Sequence, residues 1–213
     1  MRRSAVLEWI VCLVFGCLVP APAAEPIPPD VSRIISVIGP SSVAHACPIS
    51  PNLALTAGHV VRRENLAGKA DLRFYRAENG EWAGYVNPKF ASSYEDAGFL
   101  EAETPFPSWY EFALRPAFPG ERLWWIGYDW SKKSRAFQRR VFSGRVINVI
   151  AGSIILDVPT PPGSSGSCVL DASGKVIGTI AWGHSQEDDS QVAVAVGMWA
   201  PWFTGKTPTP VKE

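Results

Sequence analysis

The sequence predicts an all-β protein made of two β units of comparable size. Short apolar runs rich in β-branched residues follow one another closely along the 213 residues. Turn residues separate these runs, and such spacing is typical of antiparallel barrels and sandwiches. A break punctuated by prolines, at residues 115–120, divides the series into two halves. No long helical period appears, and only residues 196–203 would form a short helical segment.

The N-terminus has the three parts of a secretory signal peptide. Two arginines precede an apolar stretch over residues 5–19, which small residues and prolines follow. The best cleavage point lies after Ala23, so we expect a signal peptide over residues 1–23 and a secreted or periplasmic protein. The alternative interpretation is a lipoprotein in which Cys17 is acylated, although Phe15 is bulky for that kind of site.

The composition argues against several classes of partner. The 20 basic and 20 acidic residues give a formal net charge of +0, so nothing indicates nucleic-acid binding. No later run of about 18 apolar residues predicts a membrane span. No Cys and His spacing indicates zinc, and we expect neither a metal nor another cofactor. Without residues 1–23, Cys47 and Cys168 remain, and in an exported protein they predict one disulfide; two buried free thiols are the alternative.

Each half contains several predicted strands in succession. After a proline-rich lead-in over residues 24–36, the first half has apolar runs at residues 52–55, 70–75, 84–86 and 98–100. The second half has runs at residues 122–127, 138–142, 145–150, 153–158, 169–171 and 176–182. The last two runs are joined by Ala-Ser-Gly-Lys, a typical turn sequence between paired strands.

One segment rich in Gly and Ser lies between predicted strands: Pro-Pro-Gly-Ser-Ser-Gly-Ser-Cys at residues 161–168. Clusters of this composition are often flexible surface loops. A linker would have polar, unpatterned neighbours, whereas this segment has apolar runs on both sides. We therefore interpret it as a tight turn whose glycines let backbone amides converge on one point.

A serine on such a turn can act as a nucleophile if a general base lies nearby and a further group orients that base. The chain has three histidines, His45, His59 and His184. His59 follows Thr-Ala-Gly, and these small residues let other groups approach its ring closely. Asp96 begins an apolar strand, where it would either orient an imidazole or cap a turn.

Three segments, in this order, resemble the signature segments of the chymotrypsin-like (trypsin-fold) serine proteases: Thr-Ala-Gly-His at 56–59, Asp-Ala-Gly-Phe-Leu at 96–100 and Gly-Ser-Ser-Gly-Ser at 163–167. The bacterial branch with glutamyl endopeptidases and HtrA-type proteases is the more similar one, over roughly residues 37–204. The resemblance implies two six-stranded antiparallel β-barrels packed together, with the active site in the cleft between them. The first barrel would span residues 37–118, the second residues 119–204, and a C-terminal tail residues 205–213.

The resemblance also implies roles for individual residues. Ser165 would be the nucleophile, His59 the general base and later the acid, and Asp96 the carboxylate that orients the imidazole. The backbone N–H groups of Gly163 and Ser165 would form the oxyanion hole.

A polypeptide substrate is expected to add as a β-strand alongside residues 181–183. Substrate-binding residues implied by the resemblance are Thr160, Ala181, Trp182, Gly183 and His184, with residues 191–193 nearby. Pro159 stands where trypsin-type enzymes hold an acidic residue, and Ile180 stands where glutamyl-specific relatives have a histidine. Neither strict basic nor strict acidic specificity is therefore expected.

The sequence departs from the family pattern at two points. Ser164 stands where animal digestive members have an Asp that receives a freed N-terminal amine, so the lead-in is not expected to be an activation peptide. The strands that carry Cys47 and Cys168 run close together in the family fold, so a disulfide between them would staple the nucleophile loop to the first barrel. The chain ends soon after the second barrel, so we expect no appended peptide-binding domain like that of HtrA proteins.

Together these features predict an exported, cofactor-free serine endopeptidase that works through an acyl-enzyme. A catalytically silent binding or scaffold protein on the same fold is one alternative. An esterase using the same triad is another, because fold and motif do not define the acyl substrate. The natural substrate and the oligomeric state are not defined by the sequence.

Overall fold

The computed structural model describes residues 27–38, 43–66, 73–77, 80–91, 96–131, 136–150, 152–161, 163–185 and 191–197. These residues form two closed antiparallel barrels of six strands each. The predicted all-β fold of two six-stranded barrels is therefore confirmed. The expected signal peptide and the C-terminal tail lie outside the described residues.

The first barrel contains strands β1 to β6, which pair in the order β1-β2-β3-β6-β5-β4, with β4 pairing back to β1. A helix, α1, follows β3. The bounds are β1 Ile35–Ile38, β2 Val43–Ser50, β3 Leu53–Ala57, α1 Gly58–Leu66, β4 Arg73–Ala77, β5 Ala83–Ala91 and β6 Ala97–Ala102.

The second barrel repeats the same connectivity with strands β7 to β12, in the order β10-β11-β12-β9-β8-β7, and β7 pairs back to β10. Its bounds are β7 Arg122–Ser131, β8 Ala136–Ile150, β9 Ser153–Leu156, β10 Cys168–Leu170, β11 Val176–Ser185 and β12 Gln191–Gly197.

Two elements differ from the sequence-based expectations. Helix α1 was not predicted; it has no acidic residue in its first turn, and it is anchored instead because Val60 and Val61 pack into the first barrel's core. The predicted helical segment at 196–203 begins inside strand β12, and its residues beyond 197 lie outside the described part. Among the described residues, no helix is long and apolar enough to cross a membrane.

Each barrel has its own apolar core, and a third apolar cluster lies where the barrels meet. That cluster combines residues of both barrels and of the connection between them: Ile34, Cys47, Leu55, Tyr110, Ile126, Cys168, Leu170 and Val176. All of these side chains are at most 2 % exposed. Burial of this apolar area is what packs the two barrels against each other.

Strand β2 shows how one strand serves both its own barrel and the interface. Ala44 and Ala46 point into the first barrel's core. Because side chains alternate along a strand, His45 and Cys47 point to the opposite face, and both are 0 % exposed. The second barrel covers that face.

Arg115, in the connection between the barrels, forms ion pairs with two carboxylates. Its guanidinium donates to Glu121 at 2.5 Å and to Asp171 at 3.0 Å. Burial opposes ionisation of Asp171, but hydrogen bonds from Ser173 and Lys175 and the Arg115 charge outweigh it and hold the pKa of that carboxyl below its usual range. This arrangement fixes the turn between β10 and β11.

We expect Arg115→Met to lower the free energy of unfolding by about 2 kcal/mol, because it leaves a buried carboxylate short of a charged donor. Lys89→Met, which removes an exposed ion pair with Glu101, is the matched control and should cost less than about 1 kcal/mol. Urea unfolding at pH 7 measures both. Equal losses in the two variants would contradict a structural role for the Arg115 cluster.

Candidate functional site

His59 and Asp96 are brought together by the pairing of β3 with β6. The register places Ala57 opposite Ala97, so the residue after β3 lies next to the residue before β6. The Gly58 amide donates to the Asp96 carbonyl at 2.7 Å. The Asp96 carboxylate then accepts two hydrogen bonds from His59, at Oδ1 from the backbone N–H and at Oδ2 from Nδ1, each at 2.7 Å.

A third donor reaches the same carboxylate from one turn along helix α1. Arg62 Nη2 lies 2.5 Å from Asp96 Oδ1. Residues i and i+3 share one face of a helix, so Arg62 reaches Asp96 from the same side as His59. Arg62 was not predicted as a site residue, because this spacing has meaning only once the helix is known.

The close approach of helix and strand depends on Gly98. A Cβ at that position would lie 2.6 Å from the Val61 side chain, too close for any real contact. Asp96 itself has a φ of +48°, a left-handed conformation that Asp tolerates better than most residues. The side chain of Asp96 is 8 % exposed, so its charge is held by protein donors rather than by water.

The segment over residues 161–167, named here the serine turn, consists of two consecutive hydrogen-bonded turns. Ser164 N–H donates to the Pro161 carbonyl at 3.2 Å, and Ser167 N–H donates to the Ser164 carbonyl at 2.9 Å. The third residue of each turn is a glycine, Gly163 or Gly166, with φ +78°. Positive φ at this position is what a type II turn requires, so the prediction of a tight turn rather than a linker holds at this segment.

Both glycines are also needed for space. A side chain at position 163 would meet the ring of Tyr128 at 2.7 Å. A side chain at position 166 would collide with the His45 carbonyl and the Thr56 hydroxyl. The contact at Gly166 presses the serine turn against the end of β3, where Gly58 and His59 begin helix α1.

The backbone amides of the serine turn divide into two groups. Ser164, Gly166 and Ser167 donate to carbonyls of the protein. Gly163 and Ser165 donate to no acceptor within the described part of the chain. These two N–H groups are therefore available to an acceptor supplied from outside, as an oxyanion hole requires.

His45 holds the serine turn from the first barrel. Its backbone N–H donates to the Ser165 carbonyl at 2.8 Å. Its ring nitrogen Nδ1 lies 2.7 Å from the Gly163 carbonyl, and since a carbonyl only accepts, Nδ1 carries the proton. No role was predicted for His45 from the sequence, although its alternation with Ala44 and Ala46 would have placed it on the outer face of β2.

Burial lowers the pKa of His45 to about 3, and the nearby Arg139 charge adds to the effect, against the opposing hydrogen bond to Gly163. The ring is therefore neutral at ordinary pH. It stacks on Tyr128 with ring centroids 5.0 Å apart, and the Tyr128 hydroxyl donates to Ser36 at 2.8 Å.

The predicted substrate-binding residues occupy different environments. Thr160 is half-buried. Ala181 is fully buried and packs against Ala97 of the first barrel, so it offers backbone rather than side chain. Residues 182–184 lie in β11 and pair with β12, while their side chains lie outside the description. Ile180 packs into the core of the second barrel.

Cys47 and Cys168 form a disulfide bond, with their Cα atoms 5.4 Å apart. The predicted pairing is confirmed. The bond joins β2 of the first barrel to β10, three residues after Ser165. Such a bond is typical of proteins outside the reducing cytoplasm, and its sequence separation of 121 residues restricts the unfolded chain strongly.

The family profile of the trypsin-like peptidase domain matches residues 44–178. A search of curated proteins found no match. Among solved structures, the chain is similar to a Glu endopeptidase in complex with MPD, with TM-score 0.68 and 18% identity over 87% of this chain and 93% of the other.

Two further structures share the fold. Rv3671c of M. tuberculosis, in an inactive mutant form, has TM-score 0.62 and 16% identity, covering 88% of this chain and 98% of the other. A serine endoprotease of Yersinia pestis has TM-score 0.62 and 13% identity, covering 81% of this chain and 64% of that longer chain.

The lowered pKa of His45 predicts that the free energy of unfolding falls in mild acid. The unfolded chain binds a proton near pH 6.5, while the folded chain resists protonation until about pH 3, so stability present above pH 6.5 is lost as the pH falls. Between pH 7 and pH 5 the loss due to this group is about 2 kcal/mol. Urea unfolding of the wild type and of His45→Asn at both pH values checks this; an equal loss in both would contradict it.

Proposed function

The chain is a serine endopeptidase of the trypsin-like peptidase family, and we propose that it cleaves peptide bonds through an acyl-enzyme on Ser165. The observation that carries this proposal is that each barrel contributes one part of the candidate site at the interface between the barrels. The first barrel supplies the hydrogen-bonded His59 and Asp96. The second supplies a serine turn with two amides that have no acceptor among the described residues.

In the proposed first step, Ser165 Oγ attacks the carbonyl carbon of the substrate and gives its proton to His59 Nε2. Nδ1 is already committed to Asp96, so Nε2 is the ring nitrogen left for this task. The developing oxyanion accepts hydrogen bonds from the Gly163 and Ser165 amides. His59 then passes the proton to the leaving amine, the C–N bond breaks, and the acyl group stays on Ser165.

In the second step, water attacks the acyl carbon and gives a proton to His59. The bond from that carbon to Ser165 Oγ then breaks, His59 returns the proton to Oγ, and the acid product leaves. Asp96 stabilises the imidazolium formed in each step and keeps the ring in its tautomer. Arg62 also donates to Asp96, which fixes the carboxylate plane from a third direction. The carboxylate is thereby held in place before the substrate arrives.

We also propose that the substrate binds as an extended strand along residues 181–183 of β11. Strand β10 pairs with β11 only as far as Cys168 opposite Thr179. Beyond that point the described residues give β11 a strand partner on one edge, β12. The other edge has main-chain groups suited to strand addition by a peptide.

For specificity, we propose that Thr160 and the residues of β11 line the pocket and accept neither strictly basic nor strictly acidic side chains. Pro159, the residue before Thr160, is exposed and uncharged. Ile180 faces the barrel core and so offers no polar group to a substrate. For localisation, we propose export with signal-peptide cleavage after Ala23, which the disulfide supports.

Labelling with a fluorophosphonate probe tests the proposed nucleophile. The wild-type protein is expected to gain one adduct by intact mass, because the probe reacts with an activated serine. Ser165→Ala and His59→Ala should abolish the adduct, whereas Ser143→Ala, which removes a hydroxyl bonded to Arg122, should retain it. A folded wild type without any adduct would favour the silent scaffold.

Asp96→Asn tests the orienting carboxylate. We expect kcat to fall by about 10⁴-fold with little change in KM, because the amide neither balances the imidazolium charge nor selects the reactive tautomer. Hydrolysis of peptide and ester substrates, measured side by side, provides the rates. Retention of more than about a tenth of the wild-type kcat would rule out this role for Asp96.

A further inference from the structure

Strand β2 presents two buried side chains to the serine turn, and only one of them forms a covalent bond. Cys47 is joined to Cys168. His45 lies two residues earlier on the same face and is 0 % exposed. Its position raises the question of why a polar ring, rather than an apolar one, occupies a dry site between the barrels.

Both carbonyls that flank Ser164 are held by His45. The backbone N–H of His45 donates to the Ser165 carbonyl, and its ring Nδ1 donates to the Gly163 carbonyl. The backbone bond would survive any substitution at this position except proline. The ring bond depends on the side chain, so it can be removed selectively.

Gly163 needs an external restraint because glycine has no conformational preference of its own at φ +78°. Its N–H and its carbonyl lie in two successive peptide planes, and the rotations about φ and ψ set the orientation of one plane relative to the other. The hydrogen bond from His45 holds the second plane at its carbonyl, and the Ser164 N–H of the same plane donates to the Pro161 carbonyl. With that plane held and the turn closed, the Gly163 amide is confined to the direction that the turn allows. That amide is one of the two that donate to no acceptor in the part of the chain that the structure describes.

Placing a histidine ring at this position also has a cost in stability, because its second ring nitrogen is left without a partner in the described part of the chain. Nε2 of His45 is buried and has no hydrogen-bond partner among the described residues. An unsatisfied buried polar atom destabilises a fold, so an apolar ring stacked on Tyr128 would fill the same space more favourably. The polar ring is explained by what its Nδ1 does.

We propose that His45 is a positioning residue, whose Nδ1–H holds the Gly163 carbonyl so that the Gly163 amide faces the oxyanion of the bound substrate. This inference rests on the proposed function of Ser165 and the two free amides. His45 acts without touching the substrate. Its effect belongs to the transition state, since a ground-state carbonyl gains less from the oxyanion hole.

Two amide variants, His45→Asn and His45→Gln, have the same polar group at different positions, so they distinguish the effect of a correctly placed donor from that of a polar side chain. Asn at position 45 places an N–H near the location of Nδ1, whereas Gln reaches toward the location of Nε2 and away from Gly163. His45→Leu removes the donor altogether. Tyr110→Phe is the control, because it removes another partly buried hydrogen bond to a backbone carbonyl, from the Tyr110 hydroxyl to Asp30, and that carbonyl does not belong to the serine turn.

The first measurement uses p-nitrophenyl acetate and the fluorophosphonate probe. We expect His45→Leu and His45→Gln to lower kcat and the rate of labelling by about 10²-fold, the usual effect of losing one oxyanion donor. KM should change by less than about threefold. His45→Asn should recover at least about tenfold of the loss, and Tyr110→Phe should retain wild-type rates. Equal rates for Asn and Gln, or a folded Leu variant with a wild-type kcat, would overturn the proposal.

The second measurement does not depend on activity. In ¹H–¹⁵N spectra, the amide signals of Gly163 and Ser165 should shift or split in His45→Gln and stay close to wild type in His45→Asn. Unchanged signals in His45→Gln would also overturn the proposal. If the wild type itself fails to react with either probe, the proposed function fails, and these spectra still decide whether His45 positions the turn.

Discussion

The structure depends on the contact between strand β2 of the first barrel and the serine turn of the second. The proposed reacting groups are divided between the barrels, so their geometry is only as well defined as the junction. Strand β2 fixes that junction with a backbone hydrogen bond to Ser165, a ring hydrogen bond to Gly163 and the disulfide from Cys47. The surrounding apolar cluster excludes water, which strengthens both hydrogen bonds because the local dielectric constant is low.

A second constraint concerns the charge on Asp96. A carboxylate with so little exposure needs hydrogen-bond donors, because the free-energy cost of burying an unpaired charge is comparable to the whole stability of a typical fold. Strand β6 brings the carboxylate to the start of helix α1, where His59 and Arg62 supply three donors. The helix in turn lies close to the strand because Gly98 has no side chain. The short segment from Asp96 to Gly98 therefore combines three requirements: close packing against the helix, a left-handed backbone conformation and compensation of a buried charge.

Not every feature of the junction favours stability. The buried Nε2 of His45 and the buried hydroxyl of Ser164 both lack hydrogen-bond partners among the described residues. Such local costs are typical of functional sites, where the surrounding fold overdetermines a conformation that is locally unfavourable. The disulfide and the interface cluster stabilise the same region and compensate for these costs.

The sequence by itself determined the all-β class and the two halves, because β patterning and turn chemistry are local signals. The resemblance of three segments to the trypsin-fold proteases predicted His59, Asp96 and Ser165 as the reacting residues. The sequence also indicated the tight turn, since Gly163 and Gly166 stand at positions where the turn requires a positive φ. Helix α1, the continuous strand β8, Arg62 and the position of His45 were decided only by the tertiary structure. The residues of α1 have weak local helix signals, and its helix is stabilised by burial of Val60 and Val61 in a core assembled from distant strands. His45 lies 118 residues from Gly163, and a contact over that distance has no local pattern; it exists because two closed barrels pack one face of β2 against the serine turn.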